Sequence, residues 1–96
     1  MRMAKRILRL IYSGRVYVEI AYLGHGHWGE CIDDVLIISK RLCEKSQVTT
    51  LIHEALHFLY PKHTERQVLA MERSVFKGLL YSEYLKFTRF IRRLSC

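Results

Sequence analysis

Proline occurs once in these 96 residues and glycine five times, too few of either for a linker, a low-complexity stretch or a disordered tail. One domain over residues 1–96 with a single modest core is therefore expected. Long apolar runs are missing as well: every hydrophobic stretch is far shorter than the roughly 20 residues that cross a bilayer, and charge interrupts each one. No membrane span is expected. Arg2, Lys5 and Arg6 precede an apolar stretch, but Arg9 and Arg15 break it and no small-residue cleavage site follows, so a signal peptide is not expected either. Cysteine is scarce too. Cys31, Cys43 and Cys96 form an odd set without a C-x-x-C pair, which fits reduced thiols better than a disulfide framework and predicts a cytoplasmic protein.

Acidic side chains are nearly absent from the two ends. Residues 1–15 hold five basic and no acidic residues, and residues 81–96 hold four basic and one acidic, so the ends carry +8 against +7 for the whole chain. The centre is close to neutral. Such ends can attract a polyanion, nucleic acid first and an anionic membrane surface second, or can simply be solvated.

Residues 1–40 read as a β region. Residues 6–12 and 16–23 are rich in β-branched and aromatic side chains, and Ser13-Gly14 between them predicts a hairpin turn. Residues 24–29 are too glycine-rich for regular structure, and residues 35–39 form an apolar run of strand length. Three strands, or four, are expected in an antiparallel or mixed sheet. The period then changes from 2 to 3.6. Val48, Leu51, Ile52, Ala55, Leu56 and Leu59 form an apolar stripe that predicts a helix over 46–60, with Ser46 as N-cap and Pro61 beyond its end. Thr64 and Gln67 make a capping-box pattern for a second helix over 64–80, in which Gly78 costs a little. Residues 81–96 are a basic amphipathic segment that extends this helix or begins another. The expected class is α+β.

Within the first predicted helix lies His53-Glu54-Ala55-Leu56-His57, an H-E-x-x-H motif. A shuffled chain of this composition would contain the motif only about 2% of the time. Two histidines four residues apart lie roughly 40° apart around the axis and one turn along it, so both imidazoles can reach one ion. They point away from the apolar stripe, and Glu54 lies beside them but offset. That suits a base acting on water at one bound zinc ion.

A third protein ligand is needed. His63 follows His57 by six residues, a spacing used by other zinc enzymes, but Tyr60-Pro61 stands where a glycine usually turns the chain. Glu65 would open the second helix, where the helix dipole already favours a carboxylate. Glu72 falls inside the apolar stripe of Val68, Leu69, Val75, Phe76 and Leu79, where an unpaired carboxylate would cost several kcal/mol, so something positive should meet it. Glu72 is the favoured third ligand, with a salt bridge to Lys or Arg as its ordinary explanation and His63 as the alternative ligand.

The motif, with a glutamate on the following helix behind a small sheet, resembles the gluzincin zinc metallopeptidases, at this length their single-domain minigluzincins, and is also similar to SprT-like proteases. The resemblance covers residues 30–80. It implies that His53, His57 and Glu72 bind zinc, that Glu54 is the general base and acid, and that the substrate is a peptide or protein aligned along the sheet edge. His25, His27 and Trp28 are then candidate substrate contacts, and Tyr60 or Tyr81 candidate oxyanion donors. Residues 81–96 are a candidate cover that holds the enzyme latent. A second resemblance, in the spacing of the 35–39 strand with His53, His57 and His63, is to YbeY-type endoribonucleases, and implies a metal-dependent nuclease. A non-catalytic zinc-stabilised binding module is the third reading.

Overall fold

Ala4, Ile7, Leu8 and Ile11 stand at i, i+3, i+4 and i+7. In the computed structural model, which describes residues 1–95 and side chains as far as Leu94, they are the buried side of helix α1 (Met3–Tyr12). This corrects the expected strand over residues 6–12 and its hairpin. Ile7 and Ile11 favour a strand by composition, but the apolar period is 3.6, and Lys5, Arg6 and Arg9 fill the solvent side of the same helix. Ser13-Gly14 ends α1 instead of turning a hairpin: the Ser13 N–H donates to the Arg9 carbonyl, and Gly14 leaves at φ +80°, where a side chain would be strained.

The sheet has three strands, β1 (Tyr17–Ala21), β2 (Gly29–Ile32) and β3 (Val35–Ser39), in the order β1-β3-β2. It is mixed. β3 pairs parallel with β1, Tyr17 opposite Val35, and antiparallel with β2, Ile32 opposite Val35. Asp33 and Asp34 make the β2–β3 turn, with Asp33 at φ 53°, a conformation aspartate adopts more readily than most residues. β2 is too short and too weakly apolar to be read from its sequence, Gly29-Glu30-Cys31-Ile32, and it starts inside the segment expected to be irregular. Leu36 and Ile38, both fully buried, point from the central strand toward the helices.

Helix α2 (Glu44–Leu59) is the hub and packs against α1, α3, α4, β2 and β3. Its predicted stripe is buried from Val48 through Leu56. Its N-cap is Cys43, not Ser46, because the helix starts three residues earlier and buries Gln47, whose amide donates to the Ser39 carbonyl. Helix α3 (Glu65–Lys77) begins with the expected capping box: the Gln67 N–H donates to the Thr64 hydroxyl, and the Thr64 N–H to the Gln67 side chain. Gly78 ends α3, so the predicted extension to residue 80 does not occur.

Residues 81–95 form a separate helix, α4 (Tyr81–Ser95). It is not a cover over the H-E-x-x-H motif. Phe87 and Ile91 are buried in the core, and α4 packs on α2, α1 and β1. Cys31 and Cys43 are free thiols, while Cys96 lies outside the described residues. No helix among the described residues is long and apolar enough to cross a membrane.

Glu83 ties both ends of the chain. One carboxylate oxygen accepts from the Leu80 N–H at the start of α4, and the other accepts from Arg2 at 2.5 Å. Burial pushes the Glu83 carboxyl up, but Arg2, the Leu80 amide and Lys5 outweigh it and hold the group below its ordinary value. A lowered folded-state pKa contributes stability that is complete above the ordinary carboxylate range and drains away as pH falls through the folded value. Glu83→Gln is therefore expected to lower Tm by about 5 °C at pH 7. In thermal melts the gap to the wild type should narrow as the pH falls below the ordinary carboxylate range.

Candidate metal centre

The α2 register that buries Leu51, Ile52, Ala55 and Leu56 turns His53, Glu54 and His57 toward α3 and β2. The capping box starts α3 at Glu65, on the first turn after Thr64, which brings its carboxylate over both imidazoles. Nε2 of His53 and Nε2 of His57 lie 3.2 Å apart. Glu65 Oε1 is 2.5 Å from the first and Oε2 is 3.1 Å from the second. These three residues are close enough to hold one metal ion.

Glu72 does not join that convergence. Its Oε1 lies 3.0 Å from Nδ1 of His53, the ring nitrogen that faces away from the cluster. The carboxylate that the apolar stripe of α3 could not leave unpaired meets an imidazole rather than a lysine or arginine. The sequence reading placed Glu72 as the ligand and gave Glu65 an electrostatic role at a helix start. The structure brings Glu65 to both Nε2 atoms and places Glu72 behind His53. The capping box fixes where α3 begins, eight residues after His57, and the turn at residues 60–64 then carries its first carboxylate to the site.

This arrangement sets the tautomer of His53. A carboxylate accepts hydrogen bonds, so Glu72 fixes the proton of His53 on Nδ1 and turns the Nε2 lone pair toward the cluster. That lone pair then faces the Glu65 carboxylate at 2.5 Å and His57 Nε2 at 3.2 Å. Two acceptors as close as this lone pair and the Glu65 carboxylate repel unless a proton or a metal cation lies between them. Two nitrogens each about 2.05 Å from a tetrahedral ion stand about 3.3 Å apart, close to the observed 3.2 Å, so the spacing suits one shared cation.

Glu54 sits beside the cluster and is only 7% exposed. Burial pushes its carboxyl up to about 7; His53 opposes the rise, and Glu65, Glu30 and Glu72 add to it. Its cover is Gly29, at the start of β2. A Cβ there would lie 2.5 Å from Thr50 Cγ2 and 3.0 Å from both Glu54 Oε2 and the Ile37 carbonyl oxygen. Only a residue without a side chain lets the strand pass this close to α2.

Two clefts meet at Glu54 and His57. One, of about 410 Å³, runs to Gly26, His27 and Trp28 and includes His53, Glu65 and Glu72. The other, of about 590 Å³, runs past Cys31 and Asp33 to Phe58 and Pro61. Together they form a groove along β2, an edge strand. Of the candidate contacts, His27 and Trp28 line the groove, with Trp28 65% exposed, whereas His25 turns to Arg41 at 3.1 Å.

Three other sequence candidates lie elsewhere. His63 is not brought to the cluster: its ring stacks on Tyr60, with centroids 4.9 Å apart. Tyr60 is turned to Arg6, which donates to its hydroxyl at 2.7 Å, so it is not placed as an oxyanion donor. Tyr81 is exposed on α4 and lines neither cleft. No protein-family model, curated protein or solved structure matches the chain.

Proposed function

We propose that the protein is a zinc-dependent peptidase whose metal is held by His53, His57 and Glu65 and whose general base and acid is Glu54. The observation that supports it most is the convergence of two Nε2 atoms and the Glu65 carboxylate beside a buried glutamate. When bound, the ion supplies a Lewis acid that polarises the scissile carbonyl and makes water more acidic. Glu54, dry and with its proton affinity raised by burial, takes the proton of the attacking water and returns it to the leaving amine. Glu72 holds the His53 ring in the orientation and tautomer that ligation requires. The free edge of β2 offers unpaired N–H and C=O groups to an extended peptide, which strand addition would lay along the groove past Glu54.

The same site argues against the nuclease reading, because His63, its third ligand, is stacked on Tyr60. The test combines metal analysis with a peptide digest. The purified protein is expected to carry one zinc per chain and to cleave an unstructured peptide, with chelation abolishing cleavage and zinc restoring it. A protein that binds zinc yet leaves a broad peptide library intact after long incubation would refute the peptidase assignment.

A further inference from the structure

The two basic ends, far apart in sequence, meet in the fold. Tyr12 of α1 is the junction: its hydroxyl donates to the Lys86 carbonyl at 3.2 Å, and its ring meets Phe90 of α4 edge-on at 5.2 Å. At about 100° per residue, Lys5 and Arg9 lie within roughly 60° of Tyr12 around α1, and Lys86 and Arg93 within roughly 60° of Phe90 around α4. With Arg89 they make one exposed band across both helices. Among the described residues none of these five forms an ion pair with a carboxylate, whereas Arg2 and Arg92 are taken by Glu83 and Glu44. On the far flank of α1 the band runs into a cleft of about 400 Å³ between α1 and the end of α2. Arg6, Arg9 and Arg15 rim it above Leu10 and Leu59, and no acidic residue lines it.

We infer that this face binds single-stranded nucleic acid, with phosphates along the band and one unstacked base in the arginine-rimmed cleft. Repeated unpaired cations are satisfied by a polyanion, and the guanidinium fork matches phosphate oxygens. An apolar floor under guanidinium groups accepts the flat face of a base, which a duplex keeps inside its stack. A membrane surface suits the face less well. Insertion needs apolar helix faces, and those of α1 and α4, including Ile7, Phe87 and Ile91, are buried in the core. The band and cleft share no residue with the metal centre, so the inference stands apart from the peptidase reading.

Fluorescence anisotropy with labelled 20-nucleotide RNA and DNA strands, the matching duplex, and sedimentation with phosphatidylserine-containing vesicles test it on the full chain. Single strands should bind at least tenfold more tightly than the duplex, and the tighter of RNA and DNA identifies the source. The double substitution Arg9→Glu/Arg89→Glu should weaken single-strand binding at least tenfold and flatten the salt dependence of log K by about 1 to 2. Arg92→Ala, on the same helix but already paired, should change it less than twofold. If the charge-reversed protein does not fold by circular dichroism, Lys5→Ala/Lys86→Ala replaces it, with at least a threefold loss expected. Unchanged affinity in a folded variant, or duplex or vesicles bound as tightly as single strands, would overturn the inference.

Discussion

Glu54→Gln is expected to lower kcat/KM on an unstructured peptide by about 10³-fold, within the range that general acid–base catalysis contributes, while zinc content stays at one per chain. Glutamine keeps the size of the side chain and removes its ability to take a proton. The burial that raises the proton affinity of Glu54 also makes the neutral amide easy to accommodate, so Tm should not fall. Steady-state kinetics beside metal analysis of the same preparation checks both halves. A binding module that uses zinc only to hold its fold would show no change in any function after this substitution.

The second large effect separates Glu65 from Glu72. Glu65→Ala removes a group that faces both Nε2 atoms, and zinc affinity should collapse well beyond the roughly 10–100-fold loss expected when Glu72→Ala removes the partner of His53 Nδ1. His63→Ala should leave zinc affinity unchanged, because that ring lies against Tyr60. Competition titrations against a chelator of known affinity rank the three. A larger loss for Glu72→Ala than for Glu65→Ala would return the third ligand to the residue that the apolar pattern of α3 first singled out.

Much of this architecture can be read directly from periodicity. Strand β3, the apolar face of α2 and the capping box of α3 are local signals that tertiary packing reinforces. α1 resembles a strand when its β-branched residues are weighed above their spacing. β2 was invisible because four residues with two apolar side chains make a strand only when a neighbour supplies the hydrogen bonds. At the site, the histidines and Glu54 follow from one turn of helix. The order of the two carboxylates does not, because it depends on how sharply the chain turns at residues 60–64 before α3 begins. The apolar pattern of α3 asks for something positive opposite Glu72, and only the fold shows that the group it meets is the back of His53.

The dryness of Glu54 is borrowed from a strand that holds none of the motif. Backbone passing over the carboxyl acts as a roof, and its height is set by the bare α-carbon of Gly29. A chain with the same two histidines and glutamates but a methyl at that position would have to lift the roof, leaving a more exposed acid beside an otherwise intact cluster of His53, His57 and Glu65.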